Sequence, residues 1–151
     1  MARCSPIRAP RPFSRSISAE QRPARVGLSG RAGLAVYAFA ALEATALRAC
    51  EALAPGGVAA LEERTAGRVA DQLRWAAKHA RPDDETLRAA ARRFQTLVRS
   101  RNNLLHSKPG LADDGAARLL HDGDAWSPAE IAAIGAAFDA CAAEIERLLA
   151  A

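Results

Sequence analysis

Apolar residues recur at every third or fourth position along most of this chain, and proline or glycine interrupts the pattern at three places. That period is the mark of helices that bury one face. Half of the residues are apolar, but much of that half is alanine and aromatics make up only 5%. Alanine is the strongest helix former, and few positions pair β-branched with aromatic residues as strands require. The expected fold class is therefore all-α: an up-down bundle of about four helices, formed by residues 31–151 behind a disordered tail over residues 1–30.

The first helix is predicted over Ala32–Ala54, with Phe39, Leu42, Ala46, Cys50 and Leu53 on one face and Pro55-Gly56-Gly57 ending it. The second is predicted over Val58–Ala80, with Leu61, Thr65, Val69, Leu73 and Ala76 aligned, and it closes at Arg81-Pro82. Asp83, Asp84 and Glu85 put negative charge where a third helix has its positive end. Its stripe runs Leu87, Ala91, Phe94, Val98, Arg101 and Leu105 up to Pro109-Gly110. Ser127-Pro128-Ala129-Glu130 spells a capping box and opens the fourth, which buries Ile131, Ile134, Phe138, Cys141, Ile145 and Leu148. Residues 110–126 read as loop with aspartate–glycine turns, and Arg118–His121 reads as a short strand or a helical turn.

The net charge of +4 is unevenly spread. Residues 1–30 hold six arginines and one acid, Glu20, so they carry +5 and leave the body at −1. A near-neutral body is unsuited to gripping long duplexes, which takes many phosphate contacts, but it allows a short local contact with RNA. The tail, with four prolines and several serines, has the composition of a disordered segment. Cys4, Cys50 and Cys141 are far apart, so no disulfide scaffold or zinc site is expected, and a reducing cytoplasmic setting is. Glu43 and Arg48 break the most apolar stretch, so no membrane span is expected.

The helical pattern fails at one place. Arg101 stands where the third helix calls for an apolar residue, within the polar run Arg99-Ser100-Arg101-Asn102-Asn103-Leu104-Leu105-His106-Ser107-Lys108-Pro109. At about 100° per residue, Asn102 and Arg99 share a helix face with His106, while Arg101 lies about 140° away from it. Histidine can exchange a proton at the ribose 2′-hydroxyl or at a leaving oxygen near neutral pH. Arginine offers a fixed fork of donors to a phosphate as negative charge builds on it. The cluster therefore suits phosphodiester chemistry.

Arg101-Asn102-Asn103-Leu104-Leu105-His106 resembles the Rx4–6H motif of the HEPN family (higher eukaryote and prokaryote nucleotide-binding). The resemblance covers the motif and the helical pattern of residues 32–151. It implies a helical bundle, commonly a homodimer, with the motif late in a core helix, and in many members a metal-independent endoribonuclease active without cofactors. By it Arg101 would hold phosphate, Asn102 would orient its neighbours, and His106 would be the acid–base group. Arg99, Asn103 and Lys108 are the accompanying substrate-binding candidates, with RNA as the partner. It further implies a toxin or defence role with a nucleotidyltransferase-like antitoxin. The alternatives are a non-catalytic nucleotide- or RNA-binding module and a structural helical dimer.

Arg74-Trp75-Ala76-Ala77-Lys78-His79 fits the same bare spacing, but tryptophan follows its arginine. His79 is expected to serve the negative end of the second helix, and Trp75 and Trp126 to be core or interface residues. His121, in or beside a turn, is not expected to be catalytic.

Overall fold

A computed structural model of the chain describes residues 21–56 and 65–151. Among them are four helices and one small sheet: α1 (Gln21–Leu53), α2 (Ala66–Ala80), α3 (Glu85–His106), β1 (Lys108–Leu111), β2 (Ala117–His121), β3 (Asp124–Trp126) and α4 (Pro128–Ala150). The expected helical bundle is present, with the sheet as a small addition between α3 and α4.

α1 is the central element and packs most extensively on α4, then on α2. Small residues bring α1 and α4 close: a Cβ added at Gly135 would lie 3.5 Å from the Cα of Ala35. Phe39 of α1 meets Phe138 of α4 edge to face at 5.1 Å and stacks on Phe94 of α3 at 6.4 Å. Leu42, Ala46, Val69, Leu73, Leu87, Ile131 and Ile145 complete a core with essentially no solvent exposure. Polar ties hold its rim. Arg48 donates to Glu146, Arg93 to Glu144, and Arg81 to the Leu148 carbonyl oxygen.

α1 is described from Gln21, inside the segment expected to be tail, so the boundary at residue 30 does not mark the start of structure. Leu28, 4% exposed, belongs to the core. The rest of the tail, residues 1–20, and the expected early part of the second helix with Leu61 lie outside the described residues. Val26–Leu53 is long and apolar enough to cross a bilayer by length and composition, contrary to the expectation from Glu43 and Arg48. Its inward face nevertheless packs against α2 and α4, as the core helix of a bundle does.

The helix starts follow their local signals. Asp84 accepts a hydrogen bond from the Leu87 N–H at 2.9 Å. Ser127 and Glu130 form both halves of the capping box. Pro109-Gly110 does not act as a helix stop: α3 ends at His106, and both residues lie in β1. β1 is an edge of the sheet, where a proline without an N–H is acceptable. Arg118–His121 is strand, the first of its two expected forms. β2 pairs antiparallel with β1, Lys108 opposite Leu120, and with β3, Leu119 opposite Trp126. Leu119 and Trp126 pack against the helical core and so fasten the sheet to the bundle.

Candidate functional site

The polar run at the end of α3 divides into two environments. Arg101 faces inward. Its guanidinium carbon lies 5.1 Å from the centre of the Phe39 ring, so it caps the aromatic cluster with a cation–π contact. This explains an arginine in an apolar stripe: the stem covers the core edge while the charged head keeps access to water. The same guanidinium donates to Asn102 Oδ1 at 3.1 Å. It also acts on Glu43 of α1, whose carboxyl is raised above its ordinary range by burial, with Arg101 opposing the shift. Glu144 and Glu146 of α4 are engaged by Arg93 and Arg48.

His106, Asn102, Asn103, Arg99 and Lys108 are exposed. Among the described residues no hydrogen bond joins Arg101 to His106, in keeping with the angle between them on the helix. At the last turn burial passes to Leu104, and Leu105, expected inside, is 44% exposed.

What His106 meets is His121. Their ring centroids are 6.3 Å apart, with the planes inclined at 31°. The sheet brings this about. Ser107 leaves α3 in an extended conformation, and the register that pairs Lys108 with Leu120 carries the Ser107–His106 end of the strand toward His121. Asp122 and Gly123 follow with φ of 46° and 90°, and His121 pairs with Asp124 across them. Two positive φ values in a two-residue loop make a type I′ hairpin, for which Asp-Gly is a preferred sequence. Asp122 lies 3.5 Å from His121 Nε2, giving the imidazole a carboxylate neighbour.

A short strand at Arg118–His121 is one of two forms that the sequence offers, but with no partner strand in view it does not bring His121 beside His106. The signal that could have found it is Asp122-Gly123 itself, which points to a hairpin and so to His121 at a strand end. Of the sequence candidates, Arg101 and Asn102 are brought into contact, and His106 is brought to His121. Arg99, Asn103 and Lys108 are exposed, with no side-chain hydrogen-bond partners among the described residues.

The other residues singled out are elsewhere. Trp126 joins the core, but Trp75 does not: it is 51% exposed and its ring stacks on His79 at 4.5 Å. Cys50 and Cys141 are buried, and burial pushes both thiols up to about 11. Cys4 lies outside the described residues. Among the described residues no three histidine, cysteine or acidic side chains gather as a metal site needs. No family model matches the chain, and neither does a curated protein or a solved structure.

Proposed function

We propose that the chain is a metal-independent endoribonuclease of the HEPN kind, with a histidine pair at the end of α3 as its proton-transfer apparatus. The observation that carries this reading is the approach of His106 and His121, with 6.3 Å between ring centroids at an accessible surface. That spacing lets a phosphate lie between two imidazoles, each within a hydrogen bond of about 3 Å. One imidazole takes the proton of a ribose 2′-hydroxyl as its oxygen attacks the adjacent phosphorus. The other, protonated, gives its proton to the departing 5′-oxygen as the P–O5′ bond breaks. The products are a 2′,3′-cyclic phosphate and a 5′-hydroxyl. Arg99 and Lys108 supply positive charge to the phosphate from the exposed side, and Arg101 from the core edge, with Asn102 holding its fork.

Homodimerisation is part of the proposal. α1 leaves an apolar strip outside the bundle, with Val26 69%, Leu34 72% and Tyr37 77% exposed. A strip of this kind is suited to a second copy.

The second reading, an RNA- or nucleotide-binding module that does not cut, rests on Arg101. Its guanidinium is already engaged by Phe39 and Asn102, which suits a structural role.

The deciding experiment incubates the full chain with a mixed RNA pool in EDTA, beside His106→Ala, His121→Ala and Arg101→Ala variants of matched helicity. Cleavage to cyclic-phosphate ends that all three variants lose supports the ribonuclease. A folded native chain that binds the pool and leaves it intact supports the binding module.

A further inference from the structure

α2 and α3 frame an open groove of about 420 Å³, lined by Arg74, Trp75, Lys78, His79, Arg88 and Arg92, with Asp71 at its edge. Its charge is unusual for this protein. Four cations meet two acids, Asp71 and Glu85, in a body whose net charge is −1.

The internal bonds leave that positive charge largely available. Arg74 donates to Gln95 Oε1 at 2.9 Å, and Gln95 donates to Asp71 at 3.1 Å, so a neutral amide stands between Arg74 and the acid. Arg88 and Arg92 share a single carboxylate, Glu85. Arg88 Nε is buried with no hydrogen-bond partner among the described residues. Trp75 has one side against His79, whose Nδ1 is fixed at 2.7 Å from the Trp75 carbonyl oxygen, and half of the indole remains in solvent. A tryptophan so placed adds little to the core and offers a flat surface for a second ring.

The groove does not stand alone. Arg88, Arg92, Gln95, Arg99, Asn102 and His106 follow one another along α3 at steps of four and three residues. At about 100° per residue Arg88 and His106 have the same azimuth, and the rise places them about 27 Å apart. All six are at least partly exposed, so a polar track of arginine and amide side chains runs from the Trp75 groove to the histidine pair.

We propose that this groove and track bind single-stranded RNA, with a base stacked on Trp75 and the backbone phosphates carried by Lys78, Arg92 and Arg99 toward His106. A duplex is excluded as the ligand of the groove because its base faces are stacked within the helix and cannot reach an indole. Aromatic platforms beside basic side chains are the general means of holding single strands. The substrate class at the histidine pair, resting on the function proposed above, is then an unpaired RNA segment long enough to reach from one end of α3 to the other.

The test uses the full chain in EDTA and a fluorescein-labelled oligouridylate of about ten nucleotides. Kd is read by anisotropy and stacking by quenching of Trp75 emission in a Trp126→Phe background. Expected are quenching on RNA addition, a Kd about tenfold weaker for Trp75→Ala, and a shallower salt dependence for Lys78→Ala. Trp75→Ala and Lys78→Ala chains that bind as the native one does would overturn the proposal, as would a matched oligouridylate–oligoadenylate duplex binding as tightly as the single strand. Should Trp126→Phe fail to fold, the anisotropy series decides alone. Tight, Trp75-dependent binding without any cleavage of the RNA pool would uphold the groove and remove the ribonuclease; cleavage indifferent to Trp75→Ala in both rate and Kd would do the reverse.

Discussion

Arg74 to His79 and Arg101 to His106 have the same spacing, and each closes a core helix. In α2 the arginine reaches across to Gln95 of α3 while the histidine turns back on its own helix and stacks on Trp75. In α3 the arginine turns inward to Phe39 while the histidine reaches another element and meets His121. The spacing fixes only the angle between the two side chains. What each can do is decided by the element next to it: a neighbouring helix face for α2, an aromatic cluster and a hairpin for α3. The first arrangement leaves an exposed indole beside basic side chains, and the second brings two imidazoles together.

The comparison breaks most readily at the histidines. His106→Ala and His121→Ala should each lower RNA cleavage by about a hundredfold to ten-thousandfold, whereas His79→Ala should leave the turnover of saturating RNA within about twofold. Initial rates at saturating RNA, with circular dichroism as the control for folding, check this. Equal losses at all three positions would mean that the spacing and not the neighbour matters.

Next in size is the turn. Gly123 has a φ of 90°, and Gly123→Val should strain it by about 1–3 kcal/mol. Most of that cost falls on the hairpin, so cleavage should drop more than tenfold while the thermal midpoint of the helical signal falls by only a few degrees.

A smaller effect separates the arginines. Arg101→Ala should lower unfolding stability by about 1–2 kcal/mol through loss of its contact with Phe39. Arg74→Ala, on an exposed surface, should change it by less than about 0.5 kcal/mol. Urea unfolding at neutral pH measures both.

The smallest effect is Glu43. Its folded-state carboxyl is raised by burial, so the folded protein holds that proton more firmly than the unfolded chain. Its contribution to stability is complete below the ordinary carboxyl range and is lost as pH rises through the raised folded value. Glu43→Gln should flatten this part of the pH–stability profile by less than about 1 kcal/mol, and an unchanged slope would mean that Arg101 offsets the burial fully.

The legibility of the fold tracks how local its causes are. Ser127 with Glu130, and Asp84 ahead of Leu87, fix helix starts through bonds spanning three residues, and the sequence spells them out. The stripe Ile131, Phe138, Cys141, Ile145 and Leu148 is likewise set by one helix alone. The start of α1 was obscured because prolines and arginines in residues 1–30 have the composition of a tail, while burial of Leu28 depends on what it packs against. β2 is one of the two forms expected at Arg118–His121, but β1 and β3 are not legible because strands of three or four residues carry too few positions to show an alternation. Arg101 and His106 stood out as a break in pattern; His121 did not, since its nearness to His106 exists only after the hairpin has formed. Trp75 is expected in core or interface because aromatic residues in small bundles usually are, and only its exposure takes it out of the core.

The hairpin has a consequence for how such a protein can change over time. Residues 107–127 join α3 to α4 and rest on the bundle through Leu119 and Trp126, but the aromatic cluster of Phe39, Phe94 and Phe138 lies wholly in the helices. A shorter connection between α3 and α4 would leave that cluster whole and remove His121. Architecture and the histidine pair are thus separately heritable in this molecule: descendants of one ancestor could keep the same bundle and gain or lose the pair by the length and turn of a single connection.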